Sequence, residues 1–77
     1  MALLNEANIT REDKERNSVH TEVRATYTVF EEDGKKYFQL DTYGKATRQQ
    51  PEKISQSLQL DQETAKYLIK LLIDNLL

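Results

Sequence analysis

From Val23 to Tyr43, polar and apolar side chains come close to alternating, interrupted by the polar stretch Glu31-Glu32-Asp33-Gly34. A period of two in a segment rich in Val, Tyr, Thr and Phe predicts strands, and the polar break predicts a hairpin. Asp33-Gly34 suits a two-residue type I′ turn, because both central residues of that turn need positive φ. The register that follows pairs Val29 with Phe38, Tyr27 with Leu40 and Ala25 with Thr42. Val23, Ala25, Tyr27, Val29, Phe38 and Leu40 then share one face, while Arg24, Thr26, Thr28, Phe30, Tyr37, Gln39, Asp41 and Tyr43 share the other. A type I turn with a glycine bulge would pair Thr28 with Phe38 and Tyr27 with Gln39, mixing polar and apolar positions on both faces. The pattern therefore favours the type I′ register.

Beyond the hairpin, residues 44–53 hold the only proline and the Gln49-Gln50 pair, and read as a loop or a ragged strand extension. Ile54, Gln56, Leu58 and Leu60 then alternate with Ser55, Ser57 and Gln59, which predicts a third strand with one apolar face. Asp61 is a good N-cap, and acidic Glu63 in the first turn suits the positive end of a helix. Ala65, Leu68, Ile69, Leu72, Ile73 and Leu76 recur at spacings of three and four, predicting a helix over Gln62–Leu76. Tyr67 and Leu71 widen this stripe beyond what three short strands cover, as either a partner helix or a fully covered core helix would require. Residues 1–20 are polar, mixed in charge and without a sustained period, so they read as a flexible tail ahead of one domain at 21–77. A short helix over Ile9–Arg16 with Thr10 as cap is the alternative there, with Asp13 standing where a capping box wants Glu or Gln.

Composition narrows the possibilities. Seventy-seven residues allow one small core, which rarely supplies more than ~3–5 kcal/mol without a disulfide, a metal or a partner subunit. The chain has no cysteine and one histidine, which removes the first staple and leaves no set of side chains for a structural zinc ion. Oligomerisation remains, and the expected fold is α+β: an antiparallel sheet of three to four strands against one C-terminal helix, working as a homodimer. Leu68, Leu71, Leu72, Ile73 and Leu76 are the candidate dimer interface. No apolar run approaches 18 residues and no basic leader precedes one, so a cytoplasmic protein with no membrane contact is expected.

Catalysis needs converging groups, and His20 stands alone at the edge of the tail, reading as a solvated residue at a strand start. Asp41-Thr42-Tyr43-Gly44 reads as a strand end, and two glycines ten residues apart make no phosphate-cradling loop. Neither an enzyme, a cofactor nor a small-molecule substrate is expected. The net charge of −2 hides segregation: residues 35–53 carry +3 between acidic flanks. Phe30, Tyr37 and Tyr43 on the second hairpin face, with Arg24, Lys36, Lys45, Arg48 and Lys53 around them, could hold single-stranded nucleic acid, rings stacking on bases and cations tracking phosphates. The plainer alternative is cross-strand aromatic pairing on a solvated face.

The succession Lys36-Tyr37-Phe38-Gln39-Leu40-Asp41-Thr42-Tyr43, a basic loop, then Lys53 ahead of Ser57-Leu58-Gln59-Leu60-Asp61 and a leucine-rich helix resembles the positive-cofactor-four family of transcriptional coactivators. The resemblance covers residues 36–77. It implies single-stranded DNA binding across a curved antiparallel sheet, with Lys36, Tyr37, Tyr43 and Lys53 in the binding surface and dimerisation through the helix. Where the family has arginine after the strand's aliphatic residue, this chain has Asp41, and Gln56-Ser57 replaces a lysine-glycine pair. The alternative function is a protein-interaction or dimerisation module acting through the helix without nucleic acid.

Overall fold

A computed structural model of the chain describes residues 1–44 and 53–77. It contains β1 (Ala2–Leu3), a single 3-10 turn (Glu6–Asn8), β2 (Ala25–Glu32), β3 (Lys35–Tyr43), β4 (Ile54–Asp61) and α1 (Gln62–Leu76). The architecture is α+β, with a four-stranded sheet in the order β1-β4-β3-β2.

The β2–β3 hairpin turns at Asp33-Gly34, with φ of 51° and 78°, as the type I′ chemistry demands. Val29 faces Phe38, Tyr27 faces Leu40 and Ala25 faces Thr42, which is the expected register. β4 continues the antiparallel order on β3, setting Leu40 opposite Leu58 and Gln39 opposite Gln59, with an irregularity at Thr42/Tyr43. α1 starts where β4 ends: the Asp61 carboxylate accepts from the Thr64 backbone N–H at 2.9 Å. This capping bond holds the Asp61 carboxyl below its ordinary value, with smaller contributions from the Thr64 hydroxyl and the Lys35 charge.

The fourth strand comes from an unexpected place. Ala2–Leu3 pairs in parallel with Leu58-Gln59, in the part of the chain expected to be a tail. Leu4 N–H donates to the Gln59 carbonyl at 2.8 Å, and Glu6 N–H donates to the Thr64 hydroxyl at 3.2 Å. Residues 10–24 form neither helix nor strand, so the helix considered over Ile9–Arg16 is absent. The strand extension considered at 44–50 lies outside the described residues from 45 onward.

Burial runs opposite to the usual rule. Among the described residues no apolar side chain is buried, and the three buried residues, Asp41, Ser57 and Thr64, are all polar. The accessible surface is 7107 Å², against about 4,850 Å² for a compact monomer of 9.0 kDa. The Cα radius of gyration is 14.7 Å, against about 11.5 Å for a compact chain of this length. Irregular residues 10–24 account for part of this excess, and two surfaces gather much of the exposed apolar side chain among the described residues. One is the sheet face that carries Tyr27, Leu40 and Leu58, which are 38–69% exposed. The other is the side of α1 that carries Ile69, Leu72, Ile73 and Leu76, which are 50–75% exposed. Thr64, Tyr67, Leu68 and Leu71 project from a different side of the helix and are buried or half-buried. The N-terminal segment runs along α1, tied at Thr64 and again where Arg11 donates to the Asn75 side-chain oxygen at 3.3 Å.

Candidate nucleic-acid interface

Pleating of the strands builds two faces of opposite character. The apolar face carries Val29, Phe38 and Leu60. These residues, with Lys35 and Tyr37 from the other face and Asp61 and Ala65 around the start of α1, line a groove of about 680 Å³ at the turn end of the sheet. The opposite face carries Phe30, Tyr37 and Tyr43, as the alternation predicted.

Phe30 and Tyr37 are direct cross-strand partners, and their rings stack with centroids 5.4 Å apart at 21°. At the other end of β3 the Arg24 guanidinium lies 4.0 Å from the centroid of the Tyr43 ring, and the Tyr43 and Thr26 hydroxyls share a hydrogen bond at 3.1 Å. Six residues of strand, about 20 Å, separate Tyr37 from Tyr43. Each ring already has one face occupied, Tyr37 by Phe30 and Tyr43 by Arg24, so the remaining faces are the ones a base could stack on.

A polar relay fills the space between these platforms. Gln59 Nε2 donates to Gln39 Oε1 at 2.7 Å, and Gln39 Nε2 donates to both Asp41 carboxylate oxygens at 2.9 and 3.1 Å. The Ser57 hydroxyl also donates to Asp41. These bonds explain how Asp41 can sit buried in a strand: its acceptors are met by donors from its own strand and from β4. No buried side-chain nitrogen or oxygen among the described residues lacks a partner.

Two assignments change. Lys36 pairs with Glu31 and belongs by alternation to the face of Phe38, not to the face of the Phe30 and Tyr37 rings. Lys35 takes its place: it is two residues before Tyr37, on the same face, and its charge reaches Asp61, the partner of Tyr37 on β4. Strict alternation carried the signal for this exchange. Lys53 is exposed immediately before β4, at the Tyr43 end of the face, while Lys45 and Arg48 lie outside the described residues. In the candidate dimer interface, Leu72, Ile73 and Leu76 are exposed together with Ile69, whereas Leu68 and Leu71 are half-buried. No group of three or more His, Asp or Glu that could hold a metal ion occurs among the described residues.

Compared with protein-family models, curated proteins and solved structures, the chain matches none.

Proposed function

We propose that the chain binds single-stranded nucleic acid, DNA foremost, on the face of Phe30, Tyr37 and Tyr43, in the manner of the positive-cofactor-four coactivators that it resembles. The observation that carries this reading is the pair of aromatic platforms, Phe30/Tyr37 and Arg24/Tyr43, about 20 Å apart on one sheet face. Aromatic faces take any base, and an arginine plane stacks as well as attracting phosphate. Lys35 flanks one platform, Lys53 the other. The middle of the face, Gln39, Gln59 and Asp41, offers no cation, so phosphates would be held at the two ends, by Lys35 at one and by Arg24 and Lys53 at the other.

Titration of a fluorescent single-stranded oligonucleotide at ~50 and ~200 mM salt tests this. Three phosphate contacts, from Arg24, Lys35 and Lys53, give a salt slope near −2.1, hence a loss of about 20-fold between the two conditions. Tyr37→Ala should weaken binding about 5- to 150-fold, the worth of one stacked base, while Tyr37→Phe should stay near wild type. Absence of binding at ~50 mM salt overturns the proposal.

We also propose that the working unit is a homodimer, which the bare stripe Ile69, Leu72, Ile73 and Leu76 supports. If the protein is dimeric but ignores every oligonucleotide, the interaction-module reading replaces the first.

A further inference from the structure

The dimer proposed above leaves open what covers the bare sheet face. Tyr27, Leu40, Leu58 and Ala2 form one cross-strand row on that face, one residue from each of the four strands. The adjoining row, Val29, Phe38 and Leu60, borders the chain's own Ala65 in the groove, with Val29 still 61% exposed. Tyr27 of the first row stacks on Phe38 with ring centroids 5.5 Å apart, and Tyr27, Leu40 and Leu58 nonetheless remain exposed. The chain's own helix is committed elsewhere: it leaves β4 without a linker and is tied along the N-terminal segment through Thr64 and Asn75. Its remaining apolar sector, Ala65, Ile69, Leu72, Ile73 and Leu76, follows the i, i+4, i+7, i+8, i+11 spacing of a stripe that needs a surface to lie on.

We infer that the row Tyr27-Leu40-Leu58 is the seat of the second copy's α1, with the two copies exchanging helices across a two-fold axis. The inference rests on the homodimer reading and adds its geometry. Three packings are available to a symmetric pair. Helix on helix alone hides the stripe and leaves a half-exposed tyrosine and two leucines in water on each copy. Sheet on sheet alone hides the row and strands the stripe. Helix on the partner's sheet hides both at once and completes the two-layer architecture that one copy lacks. Dimensions agree: a 15-residue helix is about 22 Å long and about 10 Å wide, and a four-strand row spans about 14 Å. Area allows it as well: a standard interface buries ~800 Å² per partner, and each copy offers Tyr27, Leu40 and Leu58 at 38–69% exposure together with Ile69, Leu72, Ile73 and Leu76 at 50–75%.

The chain has no cysteine, so engineered thiols report the contact without background. Leu40→Cys and Ile73→Cys variants are co-expressed, oxidised mildly and separated without reductant, beside measurements of native mass. Ile73 is 53% and Leu40 38% exposed in a single copy, so neither substitution empties a buried site; Tyr27→Cys, in the same row and 69% exposed, serves as the second sheet probe, and Ile69→Cys as the second helix probe. The expected result is a dimeric native mass with a mixed Leu40→Cys/Ile73→Cys covalent species as the main product, and little self-linked product from either variant alone. A monomeric mass overturns the dimer reading itself. A dimeric mass with no mixed species from any sheet–helix pair, or with Ile73→Cys linking to itself as readily as to the sheet, leaves the dimer standing and overturns the exchange of helices.

Discussion

Gly34 offers a clean perturbation of the scaffold that sets the aromatic register. Its φ is +78°, and a Cβ built on it meets nothing within 4 Å, so Gly34→Ala introduces no clash. The cost is conformational: holding an L-residue in the left-handed region costs about 1–2 kcal/mol. Against this, alanine has fewer unfolded conformations to lose than glycine, which returns roughly 0.4–1 kcal/mol. The backbone term wins, and the net loss is about 1 kcal/mol, or about 4–8 °C in Tm for a chain of this size. Gly34→Asn separates the causes, because asparagine tolerates this region and should lose clearly less. Thermal unfolding followed by circular dichroism, with all variants at one protein concentration so that association is constant, measures the difference. A Gly34→Ala variant as stable as wild type would refute the assigned turn, and Asn and Ala losing equally would refute the conformational explanation.

Two further perturbations address the helix. Leu72→Asp places a charge in the bare stripe and should yield monomers or unfolded chain; sedimentation showing wild-type mass with wild-type stability would exclude this side of α1 as the interface. Asp61→Ala removes the cap, and its effect should depend on pH. Because the folded-state value of Asp61 lies below its ordinary 3.8, the ionised cap's stabilisation is complete above that value and disappears as pH falls through the lowered one. The gap in urea midpoint between wild type and Asp61→Ala should therefore be widest near neutrality and narrow in acid; a gap that widens in acid contradicts the assignment.

The hairpin, β4 and α1 were legible because each has a local signal: Asp33-Gly34 for the turn, Ile54 to Leu60 for the alternating strand, and Asp61 before Gln62 for the cap. The pairing of Ala2-Leu3 was not, since two residues carry no period and a parallel partner 56 positions away leaves no mark on the intervening sequence. The aromatic side of the site followed from alternation, and applying the same rule to its cations yields Lys35 in place of Lys36. Asp41 was harder. From sequence its charge reads as a repellent for phosphate. Only the pairing of β3 with β4 sets Ser57 opposite it and Gln59 opposite Gln39, forming the hydrogen-bonded cluster that accommodates it. Apolar patterning showed which faces seek cover, but not that a single chain leaves them bare, because amphipathicity names no partner.

The Thr64 contact with the N-terminal segment also bears on the order of folding. The hairpin closes across two residues, whereas the Glu6–Thr64 bond joins positions 58 apart. Chain-closure entropy grows with the logarithm of loop length, so the distant stitch costs about 3 kcal/mol more to form than the hairpin. It should close last and open first. Amide hydrogen exchange at Leu4 and Glu6 would then run ahead of exchange at the paired amides of β3, and each opening would expose the edge of β4 that Ala2-Leu3 otherwise covers.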